Sequence, residues 1–255
     1  MATAERTTLK ESSDNFVYQR HLIAYQKAEE EVSGNVLEVG CGDGYGLKIL
    51  APCCDSYVGL DKFPTDIDAD FAKANNITFH QMEIPPLEGL ADNSFDFVVS
   101  FQVIEHIEDD EAYVREIHRV LKPGGKMMVT TPNILMSLTR NPWHVREYLT
   151  KELHDLCAKY FSSVQMEGLF GNQKISTYYE KNKESVQKIT RFDVFDLQHK
   201  LPRQLLQIPY DILNRMNRKK LMEENTSLVN QIVTEDFFYA PAEDNCYDYF
   251  VTATK

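Results

Sequence analysis

At residues 35–46 the chain reads NVLEVGCGDGYG. An apolar run around Leu37 is short enough for a buried strand, and glycine then takes every second position from Gly40 to Gly46. Helix-compatible residues return at 47–50. Glycine tolerates positive φ and lets a ligand lie against bare backbone, while the first turn of a helix offers unpaired N–H groups. The stretch therefore predicts a strand, a cofactor-binding turn and a helix.

An acid further along the chain supports a nucleoside cofactor. Residues 57–61, YVGLD, predict a second strand that ends in Asp61, about twenty positions after Gly40, the spacing at which a carboxylate reaches ribose hydroxyls. Tyr45 stands where a dinucleotide loop would carry its third glycine, and Glu38 is an unfavourable neighbour for a pyrophosphate. An acid at that position suits a cofactor that carries an ammonium group.

Four motifs that occur in order resemble those of class I S-adenosylmethionine-dependent methyltransferases. They are the pattern Glu38-x-Gly40-x-Gly42-x-Gly44, the strand end at Asp61, the sequence NSFDFVVS at 93–100 and the sequence RVLKPGG at 119–125. The resemblance covers about residues 14–170 and the final strand. Within the class, it is to the ubiquinone-pathway and bacterial metabolite O-methyltransferases.

The resemblance and the alternation of strands with helices predict an α/β fold. We expect a Rossmann-like sheet of seven strands, mostly parallel with an antiparallel last strand, and helices on both faces. Residues 1–172 and 241–255 would form the cofactor-binding core. Residues 173–240, inserted between strands six and seven, would form a helical cap for substrate recognition, or else a structural appendage or dimer surface. The final strand, near 246–253, is expected at the edge of the sheet.

Size and charge set further limits. A chain of 255 residues with 43% hydrophobic residues can bury a full core. Its 27 Lys plus Arg against 39 Asp plus Glu give a net charge of −12, which argues against nonspecific binding of nucleic acid or anionic membranes, since both need basic surface. The polar N-terminus, the lack of an apolar run of membrane-spanning length and five cysteines without paired spacing predict a cytoplasmic protein, which we expect to be a monomer or homodimer.

The resemblance implies a set of residues around S-adenosylmethionine. A helix over residues 14–31 would cover the cofactor, with Arg20 binding the methionine carboxylate in two-point geometry, unless it is a solvated surface arginine. Met82 and Glu83, after the third strand, would flank the adenine, unless they form an ordinary turn. The expected cofactor-binding residues are Tyr18, Arg20, Glu38, Gly40, Cys41, Gly42, Gly44, Tyr45, Asp61, Lys62, Met82, Glu83, Phe101 and Gln102.

Three further side chains are candidates for chemistry. Glu105 and His106 follow the fourth strand and His144 follows the fifth, so all three are expected at the edge of a parallel sheet where ligands bind. The pattern Gln102-x-x-Glu105-His106 with a later His144 resembles metal-assisted O-methyltransferases, and makes the last three candidate ligands of a divalent ion. Gln102 replaces a glutamate of that pattern, and an amide oxygen is a poorer ligand for a hard ion. Without a metal, His106 or His144 would act as base or orient the acceptor, or His106 would simply pack.

The sequence as a whole predicts methyl transfer from S-adenosylmethionine, most directly to an oxygen of a small-molecule, sugar or lipid-linked acceptor. An N-methyltransferase acting on a small molecule or peptide and a metal-assisted RNA 2′-O-methyltransferase are the alternatives within the class. The acidic charge argues against RNA and DNA as partners. A nicotinamide-dependent oxidoreductase and a methyltransferase-like binding subunit without activity are the alternatives outside it.

Overall fold

A computed structural model describes residues 12–191, 193 and 196–255. The first eleven residues of the predicted core, and residues 192, 194 and 195 of the predicted cap, lie outside this description. The strands are β1 Asn35–Val39, β2 Ser56–Asp61, β3 Ile77–Gln81, β4 Phe95–Phe101, β5 Leu121–Pro132, β6 Ser163–Gly171, β7 Phe237–Pro241 and β8 Asp248–Thr254. The α-helices are α1 Asn15–Glu29, α2 Leu47–Leu50, α3 Ala69–Ala74, α4 Asp110–Val120, α5 Thr150–Ala158, α6 Gln173–Thr190, α7 Leu197–Lys200, α8 Arg203–Glu224 and α9 Thr226–Asn230.

All eight strands form one sheet in the order β3-β2-β1-β4-β5-β8-β6-β7. The first five pair in parallel, and β8 and β7 run antiparallel to their neighbours. The predicted Rossmann-like α/β fold is therefore confirmed, with eight strands in place of seven. The extra strand, β7, lies at the end of the stretch predicted to be a helical cap and pairs with β6 from Phe237 to Pro241.

The last strand is not at the edge of the sheet, and that expectation was wrong. Strand β8 lies between β5 and β6 and pairs with both along its length. Its residues Tyr249, Phe250 and Val251 are almost fully buried. This continuous apolar run is what a strand covered on both faces requires.

Helices cover both faces of the sheet, and β1 shows why. Leu37 and Val39 point into a core with α4 and α5, whereas Val36 points into a second core with α1 and α2. Successive side chains of a strand alternate between its two faces, so one short apolar run supplies both cores. The carboxyl ends of the parallel strands are left at one edge, where β1 leads into the glycine loop.

Polar caps set several helix starts. Helix α3 begins at Ala69, where the Asp68 carboxylate accepts a hydrogen bond from Phe71 N at 2.8 Å. Asn172 caps α6 in the same way, through Lys174 N and Ile175 N. Of the helices within residues 12–191, 193 and 196–255, none has both the length and the apolar character needed to cross a membrane.

Candidate active site

The glycine loop is fixed to the end of β2. The carbonyl oxygen of Leu60 accepts hydrogen bonds from Gly40 N at 2.8 Å and Cys41 N at 2.9 Å. Gly40 has φ +82°, and a Cβ there would lie 2.4 Å from Val103 Cγ2. Only glycine fits this turn, because the backbone is left-handed and the next layer lies against it.

Gly42 faces open space and is the part of the loop that can cradle a ligand. A Cβ placed on it would meet no atom within 4 Å. Its N–H donates to Asp61 Oδ2 at 2.8 Å, and Phe63 N–H donates to Asp61 Oδ1 at 2.8 Å. A carboxylate offers about four acceptor sites, so Asp61 can hold the loop and still accept ribose hydroxyls. The loop and the acid therefore fit the nucleoside part of S-adenosylmethionine.

Aromatic side chains form a wall beside this loop. The ring of Tyr18, on α1, lies 5.5 Å from that of Tyr45, and Tyr45 lies 5.3 Å from Tyr25. Tyr25 also contacts Phe101 at 4.8 Å, edge to face. Such pairs add to the free energy of burial and hold the rings in place. Three predicted cofactor residues, Tyr18, Tyr45 and Phe101, are thus brought to one place by α1.

Glu38 is buried beneath the loop rather than exposed in it. Its side chain is 1% exposed, and its two oxygens accept hydrogen bonds from Tyr25 Oη at 2.7 Å and Tyr57 Oη at 2.8 Å. Burial raises the pKa of Glu38 from 4.5 to about 7, although the two phenol donors oppose the rise. Both of its oxygens are therefore engaged by the protein, and a role for Glu38 towards the cofactor stays a prediction.

Arg20 pairs within the protein. Its Nε and Nη2 donate to both carboxylate oxygens of Asp248, at the start of β8, and Nη2 also reaches Tyr247 O at 3.1 Å. This two-point geometry is the one predicted for the methionine carboxylate, with an internal acid as the partner. A role for Arg20 in cofactor binding stays a prediction, and it would have to use a donor that Asp248 does not engage.

The other predicted cofactor residues lie at the same edge. Met82 N donates to Asp61 O at 2.9 Å, which places Met82 beside the acid, while Glu83 next to it is exposed. Lys62 is exposed, with its Nζ 5.2 Å from the ring centre of Phe63. Two predicted residues other than the glycines remain. Cys41 is buried, and desolvation raises the pKa of its thiol. Gln102 has φ +58°, and its Nε2 lies 3.3 Å from Thr130 Oγ1.

Glu105, His106 and His144 converge as predicted. One ligand atom from each lies within 4.8 Å of the others, and the two imidazole rings are 4.9 Å apart between centres. The backbone oxygen of Glu105 accepts from Val145 N at 2.7 Å, which draws the segment with His144 onto the turn with His106. The Glu105 carboxyl is 1% exposed, and burial raises its pKa against the opposing charges of both histidines.

Hydrogen bonds fix the tautomers of both histidines. His106 Nδ1 lies 3.0 Å from Trp143 O, and because a carbonyl only accepts, Nδ1 carries the proton. The Asn141 amide is oriented by Trp143 N, which donates to its oxygen, so its NH₂ donates to His144 Nε2 at 2.8 Å. His144 Nδ1 then donates to Glu147 at 2.6 Å. His106 therefore presents the lone pair of its Nε2, the form of a base or a metal ligand, whereas the Nε2 lone pair of His144 accepts from Asn141.

The donor set fits a divalent ion if the three ligand atoms move closer together and the Asn141 amide moves off Nε2 of His144. Metal–nitrogen and metal–oxygen bonds of about 2.0–2.2 Å keep ligand atoms closer together than the widest spacing of this cluster. A carboxylate and two imidazoles whose other nitrogens donate to oxygen is a common ligand arrangement. Glu105, His106 and His144 would hold such an ion, which would lower the pKa of a coordinated hydroxyl.

Two cavities in the described part of the chain lie away from these groups. One of about 480 Å³ is lined by Gly44, Leu47 and Phe71, and one of about 510 Å³ by Asp96 and Lys122, near the amino ends of β1 and β4. Neither contains Asp61 or the histidines. The assignment of the cofactor therefore depends on the loop geometry and not on cavity size.

Comparison with known proteins identifies the family. The profile described as "Methyltransferase domain" matches residues 13–173. The chain belongs to this family of methyltransferase domains. The resemblance to class I S-adenosylmethionine-dependent methyltransferases is thereby confirmed, and S-adenosylmethionine is the cofactor of the family.

Curated relatives share the methyltransferase domain. A probable S-adenosylmethionine-dependent methyltransferase of Mycolicibacterium smegmatis is 38% identical over 160 residues, which are 60% of this chain and 62% of that protein. One of Mycobacterium tuberculosis is 37% identical over 180 residues, 68% of this chain and 65% of that protein. A ubiquinone biosynthesis O-methyltransferase of Cereibacter sphaeroides is 30% identical over 128 residues, 47% of this chain and 51% of that protein. The match thus spans less than two thirds of each relative.

Solved structures agree on the fold. The YcgJ protein of Bacillus subtilis aligns with a TM-score of 0.54 at 18% identity, over 92% of this chain and 99% of its own. Phosphoethanolamine N-methyltransferase 2 of Haemonchus contortus, in complex with S-adenosyl-L-methionine, aligns with a TM-score of 0.53 at 18% identity, over 100% of this chain and 60% of its own. At this identity the likeness shows the fold alone.

The methyltransferase domain carries two site residues that the sequence did not single out. Glu147 holds Nδ1 of His144 and is itself bonded by Ser137 Oγ, and Asn141 holds Nε2 of the same ring. The signal was present in the sequence, because Glu147 follows His144 by three positions, as His144 follows Asn141. Tyr57, the second donor to Glu38, left no such signal, since only the pairing of β1 with β2 brings the two together.

Proposed function

We propose that the protein transfers the methyl group of S-adenosylmethionine to a hydroxyl oxygen of a small-molecule, sugar or lipid-linked acceptor. The observation that carries the proposal is the imidazole of His106, whose Nδ1 donates to Trp143 O and whose Nε2 has no hydrogen-bond partner among the described residues. It lies beside Glu105 and His144 at the edge of the sheet that also carries the glycine loop.

In this proposal the residues act by position and by proton transfer. The acceptor oxygen attacks the methyl carbon in line, the new O–C bond forms, and the electron pair of the broken C–S bond stays on sulfur as a neutral thioether. The hydroxyl proton passes to Nε2 of His106. His144 orients the acceptor, with Asn141 and Glu147 fixing its ring. The glycine loop and Asp61 hold the nucleoside so that methyl and nucleophile meet at contact distance.

Oxygen is favoured as the acceptor atom by the need for a base. A neutral amine attacks without prior deprotonation, whereas a hydroxyl must lose its proton, and the unbonded Nε2 of His106 suits the second case. The similarity to a ubiquinone biosynthesis O-methyltransferase points the same way. Paired hydroxyl and amine acceptors of equal shape would test this choice, with faster turnover expected for the hydroxyl.

The test of the function is release of S-adenosylhomocysteine from a panel of acceptors. His106→Gln is expected to lower turnover by about 10²–10⁴-fold, the usual contribution of a positioned base, while cofactor affinity changes little. His154→Gln is the matched control, because His154 is exposed on α5 and belongs neither to the predicted cofactor-binding residues nor to the cluster of Glu105, His106 and His144. Full activity of both His106→Gln and His144→Gln would overturn the assignment of a base.

A metal-assisted route is the second candidate, because Glu105, His106 and His144 lie within ligand reach of one another. A metal-dependent protein would lose activity with a chelator and recover it with a divalent ion, and His106→Gln would lower its metal affinity. Undiminished activity in chelator would support the metal-free base.

We keep the cytoplasmic location, the monomeric or dimeric state and the absence of nucleic-acid partners as predictions.

We further propose that the helices of residues 173–240 form a cap that selects the acceptor. Trp143 Nε1 donates to Asp211 of α8 at 3.0 Å, and Arg140 Nη1 donates to Gln198 O at 3.0 Å. These bonds tie the inserted helices to the segment that carries His144. Grafting residues 173–236 between relatives should change acceptor preference while leaving cofactor affinity unchanged.

A further inference from the structure

Trp143 connects three parts of the molecule through hydrogen bonds. Its backbone N–H donates to Asn141 Oδ1 at 3.1 Å, and its carbonyl oxygen accepts from His106 Nδ1 at 3.0 Å. Its indole Nε1–H donates to Asp211 Oδ1 of α8 at 3.0 Å. A tryptophan residue has no other hydrogen-bonding group, so every polar atom of Trp143 has a partner.

Two of these bonds set the histidines of the candidate active site. Because the Trp143 carbonyl only accepts, it holds a proton on Nδ1 of His106 and leaves Nε2 to the site. The bond from Trp143 N turns the Asn141 amide, so that its NH₂ donates to His144 Nε2 at 2.8 Å. One residue therefore fixes a partner of each imidazole ring.

The third bond joins this turn to the inserted helices. Asp211 lies in the middle of α8 and is 68 positions from Trp143 along the chain, so the bond exists only while α8 is docked beside the site. A hydrogen bond to a carboxylate is stronger than one between neutral groups. The indole is therefore a firm attachment of the turn at residues 141–144 to α8.

Two other contacts join the inserted helices to the same segments without reaching the rings. Arg140 Nη1 donates to Gln198 O at 3.0 Å, and Arg203, at the first residue of α8, pairs with Glu108. In the described part of the chain, neither Arg140 nor Glu108 bonds to an imidazole of the site. The contact of Trp143 differs from both because it continues into the hydrogen bonds of the two histidines.

We propose that Trp143 and Asp211 are positioning residues, through which the docked helix α8 sets the orientation of both histidines. While α8 holds the indole, the turn at residues 141–144 presents a carbonyl oxygen to His106 and an amide to His144. Without that bond the turn is free to rotate, and both rings lose a fixed partner.

This coupling gives the inserted helices a part in the reaction as well as in the choice of acceptor. An acceptor that seats α8 also aligns the base, which is specificity by induced fit. A displacement of about 1 Å at a reacting group lowers a rate by about 10²-fold. The effect on turnover rests on the proposed function, whereas the coupling of α8 to the imidazole rings does not.

The test observes the full chain by proton and nitrogen magnetic resonance, without cofactor or acceptor. Trp143 is the only tryptophan, so a single indole N–H signal reports on its bond to Asp211. This proton signal should move to higher field in Asp211→Leu, because a hydrogen bond to a carboxylate is lost. Asp211→Asn keeps an acceptor oxygen and should restore most of the parent's shift.

The imidazole nitrogens give the reading that tests the coupling itself. The chain is labelled on its seven histidines and measured at about pH 8, above the ordinary titration range of imidazole, with His106→Gln to assign the signals. Asp211→Leu and Trp143→Phe should each redistribute the His106 proton from Nδ1 towards Nε2. Trp143→Phe keeps the backbone N–H and carbonyl, so it removes the indole bond alone. The double variant should show no larger effect than either single one, because both changes break the same bond.

Arg203→Gln is the matched control, because it removes another contact of α8, the pair with Glu108, and leaves the bonds of Trp143 in place. It should keep the indole signal and the His106 nitrogen signals of the parent chain. Equal shifts of the His106 nitrogens in Arg203→Gln and Asp211→Leu would mean a general loosening of the helices and would overturn the proposal.

Turnover gives the second reading. Asp211→Leu and Trp143→Phe should lower kcat by about 10- to 100-fold while affinity for S-adenosylmethionine is unchanged. Unchanged His106 nitrogens in Trp143→Phe, which keeps an aromatic ring in place, would overturn the proposal even if Asp211→Leu does not fold. Shifted nitrogens with an unchanged kcat would also overturn the positioning role. Shifted nitrogens in a chain whose parent methylates no acceptor would support the coupling and contradict the proposed function alone.

Discussion

Asp61 is the residue on which the cofactor assignment depends most directly. Its carboxylate holds the loop through Gly42 N and would accept the ribose hydroxyls. Asp61→Asn should weaken binding of S-adenosylmethionine by about 1–3 kcal/mol, the loss expected for hydrogen bonds to a charged group. Asp66→Asn, an exposed change of the same charge, is the control for a titration by calorimetry. Equal affinity of the two variants would remove Asp61 from the site.

Glu38 makes stability depend on pH in an unusual direction. Because its pKa is raised from 4.5 in the unfolded chain to about 7 in the fold, the native state holds the proton more tightly. The stability that this proton contributes is present below pH 4.5 and is lost as the pH rises to about 7 and beyond. The loss corresponds to roughly 3 kcal/mol. Glu38→Gln cannot titrate, so urea unfolding at pH 5 and pH 8 should show a smaller fall for this variant.

The predicted histidines converge because each lies in the segment that follows a different strand, β4 or β5, and sequence order was enough to place them at one edge. The hydrogen bonds that set their tautomers were beyond prediction. They depend on the turn at residues 141–144 folding so that Asn141 reaches one face of His144 and Trp143 O reaches His106. Such contacts come from loop geometry, and loops have no periodic pattern to read.

At the scale of elements, the ion pair of Arg20 with Asp248 joins α1 to β8. Asp248 is 2% exposed, so Arg20→Leu leaves a buried charge without its partner and should cost about 3–5 kcal/mol of stability. Arg20→Leu/Asp248→Leu should recover much of that loss, since replacing both partners removes the buried charge. Urea unfolding measures the free energy of unfolding of the single and the double variant.

The same pair of variants tests whether Arg20 binds the cofactor. If it does, the double variant regains stability while its affinity for S-adenosylmethionine stays reduced. Arg218→Leu/Asp14→Leu is the control, because that ion pair ties α8 to the turn before α1. Full affinity in the Arg20 double variant would assign the arginine to structure alone.

Elements differ in how far the sequence predicted them. Strands β1, β2 and β4 were visible because each is a short, mostly apolar run between turn signals, and Asp109 marks the start of the helix that follows β4. Strand β7 was missed since five residues ending in Pro241 follow a long helical stretch and carry little pattern of their own. The central place of β8 was missed because an antiparallel insertion is a matter of topology, which local alternation does not encode.

The whole molecule should respond to its cofactor as a single unit. A ligand present at one hundred times its dissociation constant adds about 2.7 kcal/mol to the free energy of unfolding. For a domain of this size we expect S-adenosylmethionine to raise the melting temperature by about 5 to 10 °C. Thermal denaturation with S-adenosylmethionine and with NAD, at equal concentrations, makes the comparison. A rise in melting temperature with NAD and none with S-adenosylmethionine would contradict the assignment of the cofactor and favour a nicotinamide-dependent oxidoreductase.

Tyr25, which packs against the glycine loop, affects the local opening of helix α1. Tyr25 lies directly on Gly46, where a Cβ would come within 1.9 Å of its ring, and its hydroxyl covers Glu38. Lifting α1 would let water reach that carboxylate and release its proton near neutrality. Alkaline conditions should therefore favour the lifted state. Deuterium uptake by α1 amides, corrected for intrinsic chemistry, should accelerate through pH 7 while uptake by α5 does not.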